Sequence, residues 1–300
     1  MPSLCMLYRP QCALKLALPI PIRASVKNAT HFRDTAVNGV PKMSPSVMRL
    51  VAKLAHFDVD WNEIGEIIER DPVLCGQILR VVNSAEIGRR HSISKINHAI
   101  TVLGVSRLRK IALGLTVTKL FLRTKMAASW SPLRFNTHSV AVALMTEILA
   151  GFVPVPHADS AFVAGLLHDT GKLAIAASLR DQYETILQLW NCSGRPIQEC
   201  EQEIIDCTHT EIAGLILARW ELPIFLQRAI YDHHQPNQGD LSWLIYQADQ
   251  FVRYLGITVE PPELRAVPEY QFQIPGHDLP PAEILDQFRI QYDELNKMFA

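Results

Sequence analysis

The chain has 300 residues and a mass of 33.8 kDa, with 48% hydrophobic and 20% charged residues. This composition is typical of a globular protein with an ample core, and it excludes wholesale disorder and collagen-like repeats. The formal net charge of −1 excludes a basic field over the whole chain, so we do not expect DNA as a partner.

One basic stretch departs from this charge balance. Between Arg80 and Lys125 the sequence holds ten Lys or Arg residues and one acid, Glu86. A local positive field of this kind can face an anion, a nucleotide or a partner protein. The candidate residues are Arg89, Arg90, Arg107, Arg109 and Lys110. The alternative is a solvated helix face, because the interleaved aromatic residues of single-strand binders are missing from this stretch.

Cysteine spacing and apolar segments bear on the location of the protein. The six cysteines contain no C-x-x-C pair, so we expect reduced thiols rather than a zinc ribbon or disulfides. Residues 12–22 are apolar but are interrupted by Lys15, Pro19 and Pro21, which is not typical of a signal peptide. No apolar run is long enough to span a membrane, and we expect a cytoplasmic protein without a membrane partner.

The first half of the chain predicts a short leader followed by helices. Residues 1–37 show no sustained period and are expected to be loosely ordered. From residue 41 onward the apolar residues follow helical spacing. Asp60 with Glu63 predicts a capping box, and Asp71 followed by Pro72 predicts the start of the next helix. Further helix boundaries are predicted at Ser94, Gly104 and Ser106.

The second half of the chain predicts a further helical set after the break at residues 130–132. Helices are expected over residues 134–150, 158–178, 180–193, 196–206, 209–220, 223–234 and 240–255. Residues 256–281 contain six prolines and predict an irregular arm, and residues 282–299 predict a closing amphipathic helix. Because hairpin signals are nearly missing, the sequence predicts an all-α fold.

Histidine and aspartate residues of the second helical set could carry chemistry. They are His138, His168, Asp169, His209, His233, His234 and Asp249, with Lys172 shortly after the His-Asp pair. Neutral imidazoles and carboxylates are ligands for Fe, Mn, Zn or Ni, and two such ions could activate water and polarise a phosphate. The alternative is an internal polar network that satisfies these groups without metal. Thr208 and Glu211 also form a predicted capping box that would place His209 in a first helical turn for structural reasons.

These motifs, in this order, resemble the HD superfamily of metal-dependent phosphohydrolases and, more closely, its HDOD branch (HD-related output domain). The resembling segments are residues 71–74, 79–85, 93–100, 103–104, 164–169, 208–214, 220–223 and 229–234. The resemblance covers roughly residues 38–255 and implies a domain of two packed helical lobes, over residues 38–130 and 131–255. The leader before it, and the Pro-rich arm and helix over residues 256–300, lie outside it.

The resemblance also implies site residues. The seven His and Asp side chains named above would correspond to the HD metal ligands, for one or two divalent ions and no organic cofactor. Lys172 would correspond to the lysine that contacts phosphate in the active HD-GYP branch, and Lys172 and Asp169 would be the catalytic residues of an enzyme. Two departures matter. Arg134 stands where that branch can carry a Glu, which argues against a third metal, and no Gly-Tyr-Pro motif follows Gln235-Pro236, which argues against cyclic-di-GMP hydrolysis.

Three functions are compatible with this resemblance. The first is a bacterial signalling or regulatory module that acts mainly through contacts with signalling proteins and retains a metal site. The second is a metal-dependent phosphohydrolase or phosphodiesterase. The third is a sensor that binds an anion, nucleotide or cyclic dinucleotide without chemistry.

Overall fold

The computed structural model describes residues 26–40, 45–54, 60–85, 93–119, 124–262 and 281–299, and these contain helices but no strand. The all-α prediction is therefore confirmed for this part of the chain. The first six helices are α1 (Val26–Gly39), α2 (Pro45–Leu54), α3 (Trp61–Glu69), α4 (Pro72–Ala85), α5 (Ile96–Leu103) and α6 (Val105–Lys119). Helices α2 to α6 pack on one another as the first lobe.

Helix caps explain the boundaries in the first lobe. The Asp60 carboxylate accepts a hydrogen bond from the Asn62 amide, whereas the Glu63 carboxylate binds Lys53, so only the Asp60 half of the predicted box forms. The Asp71 carboxylate caps α4 through the Leu74 amide. Gly104 ends α5 with a φ of 76°, as predicted. Helix α5 begins one residue later than the Ser94 signal requires, because Lys95 holds the N-cap position.

Asn83 has a role that differs from the sequence interpretation. We interpret its position from sequence as a helix terminator, but α4 continues to Ala85. Its side-chain amide donates to the carbonyl oxygens of Leu79 and Ile93, and its side-chain oxygen accepts from the Ile93 amide. Asn83 therefore ties the end of α4 to the segment that leads into α5.

The second lobe comprises eight helices that pack on one another. They are α7 (Pro132–Phe152), α8 (Ala161–Leu167), α9 (Thr170–Ser178), α10 (Arg180–Ser193), α11 (Ile197–Ile205), α12 (His209–Arg219), α13 (Ile224–Tyr231) and α14 (Leu241–Tyr254), with a 3-10 turn at Ala158–Ser160 before α8. The predicted capping box of Thr208 and Glu211 is present at the start of α12. Helix α7 is buried along much of its length and packs against α8 and α14, so it forms the centre of this lobe.

The predicted helix over residues 158–178 is interrupted. Helix α8 ends at Leu167 and α9 begins at Thr170, with His168 and Asp169 at the junction. The Thr170 hydroxyl donates to the Leu167 carbonyl, one of the groups at the end of α8. Asp169 occupies the N-cap position of α9, but its carboxylate makes no capping hydrogen bond. The carboxylate is directed elsewhere, and this interruption decides where the His-Asp pair points.

Two flanking helices complete the described structure. Helix α1 packs on α9, α11 and α12, so the last part of the expected leader is helical, because packing against the second lobe offsets its weak sequence period. Helix α15 (Pro281–Phe299) confirms the predicted closing helix and contacts α4, α6 and α7, which belong to both lobes. Its buried Phe288 stacks on Tyr292 and meets Phe251 of α14 edge-on.

Residues 1–25 of the expected leader and residues 263–280 of the expected arm lie outside the described residues. The lobe limits at residues 38, 130 and 255 stay predictions. Within the described residues, no helix combines the length and the apolar character that crossing a bilayer requires.

Candidate metal centre

Seven side chains converge in the interior of the second lobe. They form two groups, whose ligand atoms lie within 4.8 Å of one another in each group: Asp169, His209, His233 and His234 in the first, and His138, His168 and Asp249 in the second. They come from α7, the α8–α9 junction, the start of α12, the turn after α13, and α14. Six of the seven are buried, and His234 is half-buried. The structure therefore brings together all seven residues predicted from the sequence.

Backbone carbonyls orient three of the imidazole rings. The Nδ1–H groups of His138, His168 and His233 donate to the carbonyl oxygens of Ile257 (2.8 Å), Gly165 (2.7 Å) and Ile230 (2.6 Å). Since a carbonyl only accepts, each of these rings carries its proton on Nδ1. The Nε2 lone pairs are thereby directed to the interior of the cluster, which is the tautomer that a metal ligand needs.

A carboxylate orients a fourth ring. His209 Nδ1 donates to Glu201, whose two oxygens lie 2.9 and 2.7 Å away, and the His209 amide donates to the same carboxylate at 2.9 Å. His209 Nε2 is 3.0 Å from His234 Nε2. The buried Glu201 therefore fixes both the ring and the backbone of His209 at the start of α12.

The Asp169 carboxylate lies between the two groups. Its Oδ2 atom is 3.3 Å from His168 Nε2 and 3.6 Å from His138 Nε2, whereas its Oδ1 atom is 3.5 Å from His209 Nε2. Asp249 Oδ1 is 3.2 Å from His138 Nε2 on the far side. One carboxylate thus presents an oxygen to each group, which is the arrangement of a bridging ligand.

Buried ligand atoms in this cluster lack hydrogen-bond partners among the described residues. They are Nε2 of His138, His168 and His233, Oδ1 of Asp169 and Oδ1 of Asp249, whereas Asp169 Oδ2 meets the Lys172 ammonium at 3.0 Å. A buried polar atom without a partner costs about 1–3 kcal/mol, and several of them in one place are exceptional in a folded protein. Imidazole nitrogens and carboxylate oxygens are suitable ligands for a divalent transition metal, so the donor atoms present in this cluster fit such an ion.

Electrostatic interactions set the protonation states of Asp169, His233 and His234, whereas burial would lower the pKa of His168 but Asp169 outweighs it and raises this pKa. Burial alone would raise the pKa of Asp169, but His168 and Lys172 outweigh it and hold the pKa well below the usual range. Burial and the neighbouring His168 and His209 lower the pKa of His233 to about 3. Burial, together with His233 and His209, also holds the pKa of His234 well below that of free imidazole. The carboxylate is therefore ionised and these two imidazoles are neutral near pH 7.

Two cations, Lys172 and Arg253, and a further carboxylate, that of Glu260, lie beside the cluster. Lys172 Nζ is 3.0 Å from Asp169 Oδ2 and 2.9 Å from Glu260 Oε1. Arg253 Nη1 is 3.1 Å from Glu260 Oε2. Burial would raise the pKa of Glu260, but the charges of Arg253 and Lys172 lower it to about 2. All three line a cavity of about 630 Å³ that also reaches His234 and Asp249, so the cavity joins the metal ligands to the cation pair.

The basic candidates of the first lobe lie apart from this cluster. Arg109 is buried and donates to the Asp159 carbonyl, Lys110 binds Glu147 and Gln291, and Arg107 lies 3.7 Å from Glu294 of α15. These side chains therefore face other parts of the same chain. Arg89 and Arg90 lie outside the described residues.

A sequence model of the HDOD domain matches residues 40–236, about two thirds of the chain. The chain belongs to the HDOD domain family. The match includes six of the seven clustered residues, whereas Asp249 lies beyond its end. Membership agrees with the resemblance found in the sequence motifs.

Known proteins similar to this HDOD domain share its fold at low sequence identity. A solved HDOD domain protein of Geobacter sulfurreducens is 21% identical, with a TM-score of 0.69 over 90% of this chain and 99% of that chain. A provisionally named phosphohydrolase of Shewanella amazonensis SB2B is 19% identical (TM-score 0.68; 90% and 98% covered). A provisionally named signal transduction protein of Marinobacter aquaeolei VT8 is also 19% identical (TM-score 0.67; 93% and 67% covered).

A curated relative is longer than this HDOD domain. An uncharacterized protein of Treponema pallidum (strain Nichols) is 22% identical over 213 residues, which are 70% of this chain and 40% of that protein. The chain therefore spans well under half the length of this relative.

Sequence analysis missed three charged residues around the centre. Glu201 orients His209, and Arg253 and Glu260 form the ion pairs next to Lys172. Glu201 lies in an acidic helix, Glu203 and Glu199 being its neighbours, so composition could not single it out. Glu260 lies in the Pro-rich segment, where no periodicity indicates a buried side chain.

Proposed function

We propose that this HDOD domain is a regulatory module that retains an HD-type metal centre and hydrolyses a phosphate ester there. The observation that carries the proposal is the set of buried, unpartnered ligand atoms of His138, His168, Asp169, His233 and Asp249. Atoms of this set approach one another at 3.2–3.6 Å without forming hydrogen bonds, whereas a purely structural polar network would hydrogen-bond them. Divalent ions such as Fe, Mn, Zn or Ni would satisfy them together.

The two ligand groups support a site for two ions, and Asp169, which belongs to the first group and lies 3.3 Å from His168 of the second, would contribute to both. When bound, such ions supply a water with a lowered pKa and stabilise the negative charge that develops on a phosphoryl group. The protein orients the ligands through the Nδ1–H hydrogen bonds of four histidines. This fixed geometry lets the centre bind metal without reorganising its side chains.

Lys172 contributes positive charge next to the centre. Its ammonium contacts Asp169 Oδ2 at 3.0 Å. Desolvation by burial lowers the pKa of Lys172, but the charges of Asp169 and Glu260 outweigh it and raise the pKa above the usual value. It therefore stays protonated and can offset the charge of a phosphate that enters from the cavity. The phosphohydrolase name of the Shewanella protein agrees with this chemistry. Because no Gly-Tyr-Pro motif follows Gln235-Pro236, we propose a substrate other than cyclic di-GMP.

Replacement of Asp169 tests the catalytic role. We expect Asp169→Ala to lose bound metal and to lose hydrolysis of bis(p-nitrophenyl) phosphate and p-nitrophenyl phosphate, because it removes the carboxylate that lies between the two ligand groups. Asp181→Ala is the matched control, since Asp181 is exposed on α10. Circular dichroism checks that both variants fold. Hydrolysis that survives in Asp169→Ala would contradict this mechanism.

A role through contacts with signalling proteins is the second candidate. It follows from the HDOD resemblance, and the name of the Marinobacter protein agrees with it. Exposed apolar side chains at Leu215, Ile224 and Tyr231 line a groove between α12 and α13, which favours such a surface. If metal-loaded wild-type protein hydrolyses neither ester, the catalytic role is contradicted and the contact role, which requires no chemistry, stands.

A further inference from the structure

The Glu260 carboxylate is held by two cations next to the metal ligands. Its two oxygens are bound separately, Oε1 by Lys172 at 2.9 Å and Oε2 by Arg253 at 3.1 Å. Lys172 is at the same time 3.0 Å from Asp169 Oδ2. Lys172 therefore connects the Glu260 carboxylate to Asp169, which lies between the two ligand groups.

This arrangement has the geometry of an anion site. An arginine and a lysine that bind separate oxygens of one planar or tetrahedral anion are a common way to hold carboxylates and phosphates. Lys172 and Arg253 line the cavity of about 630 Å³ that reaches His234 and Asp249. A phosphate in place of the Glu260 carboxylate would keep the two cations paired and would lie beside the metal ligands.

Glu260 belongs to a segment that is not part of a helix. After α14, Gly256 turns the chain with a φ of 79°, and the segment is held by hydrogen bonds of Ile257 with His138 and of Val259 with Arg134. These bonds use backbone carbonyls and leave the Glu260 side chain out. Release of Glu260 would remove the two ion pairs that also anchor this segment, and would loosen the segment without breaking a helix.

We propose that Lys172 and Arg253 bind the phosphate group of the substrate, and that Glu260 occupies this anion site until phosphate displaces it. The proposal rests on the proposed function for the identity of the substrate. It adds Arg253 as a second phosphate-binding residue, and it makes Glu260 an internal competitor that sets the affinity of the site for anions.

Calorimetric titration of inorganic phosphate into the purified chain tests the competition. We expect Glu260→Gln to bind phosphate about tenfold more tightly than wild type, because the competing charge is removed. Glu199→Gln is the matched control, since Glu199 is exposed, lines the same cavity and gives the same change of charge. Adding Arg253→Ala to Glu260→Gln should remove the gain. Equal affinities of Glu260→Gln and Glu199→Gln would overturn the proposal.

Hydrogen exchange of the wild-type protein supplies a test that does not need a variant. The Ile257 amide donates to the Val252 carbonyl, and we expect saturating phosphate to increase exchange over residues 255–262 as Glu260 is released. Unchanged exchange with phosphate bound, or no phosphate binding by folded wild-type and Glu260→Gln proteins, would overturn the proposal.

The two proposals fail separately. Tighter phosphate binding by Glu260→Gln, in a protein that hydrolyses no ester, would support the anion site and contradict only the hydrolysis. Ester hydrolysis with equal phosphate affinities in wild type and Glu260→Gln would support the proposed function and contradict only the role of Glu260.

Discussion

At the scale of single residues, the centre depends on hydrogen bonds that orient its ligands. The partners of His138, His168 and His233 are backbone carbonyls, so no side-chain substitution removes these acceptors themselves. His209 differs, because its partner is the Glu201 carboxylate. A mutation of Glu201 can therefore change the orientation of His209 without removing a ligand from the cluster.

We expect Glu201→Gln to weaken metal binding about 10- to 100-fold, the usual effect of removing a group that orients a ligand. The carboxylate charge that holds the Nδ1 proton of His209 is lost, while the helix remains. Competition with a chelator of known affinity measures the change. Glu203→Gln is the control, since Glu203 lies on the same helix in an exposed pair with Arg195, and such pairs contribute little. Equal metal affinities of the two variants would argue against an orienting role for Glu201.

Whether a site residue could be predicted depends on how far apart in the sequence its interaction partners lie. The His and Asp residues were identifiable because their type and order resemble a known pattern. Glu260 follows α14, where its partner Arg253 lies, yet its second partner, Lys172, lies 88 residues earlier in the chain. No local sequence pattern specifies an ion pair over that separation, so only the packed structure shows it.

At the scale of elements, the junction between α8 and α9 places the His-Asp pair. Sequence period predicted one helix over residues 158–178, because apolar residues continue on both sides of the junction. The structure interrupts the helix where two polar side chains must turn into the interior. Gly171, at the start of α9, lies against the backbone of His209, and a Cβ there would overlap the His209 carbonyl oxygen.

We expect Gly171→Ala to destabilise the fold by about 2 kcal/mol or more, because the overlap is with backbone and α9 would have to move away from α12. Metal binding should fall with it, since His209 and Asp169 would separate. Urea denaturation and metal content measure the two effects. Gly151→Ala is the control: no atom lies within 4 Å of a Cβ at this helical position, so alanine should be neutral or slightly stabilising. A Gly171→Ala protein as stable as Gly151→Ala would show that this close approach is not required.

At the scale of the whole molecule, the centre uses more of the chain than the family match covers. The match ends at residue 236, but Asp249 belongs to the second candidate ligand group, the Ile257 carbonyl orients His138, and Glu260 binds Lys172. Residues after the matched region therefore complete the site in this chain. Helix α15 also lies beyond the match and contacts helices of both lobes.

The all-α architecture was predictable because long amphipathic helices and their caps are encoded locally. Helix α1 was not predictable from the sequence, because its burial depends on contacts with α9, α11 and α12. The basic stretch illustrates the same limit. Its charges suggest an external anion, but Lys110 and Arg107 meet acids of α7 and α15, which lie far along the chain.

The most direct test of the central claim is the transition-metal content per chain. It would be measured by plasma mass spectrometry on folded, tag-free protein purified without added metal or chelator. The two ligand groups, with Asp169 between them, predict about two ions per chain. A folded protein that contains no transition metal, and takes up none from added iron, manganese or zinc, would contradict the account.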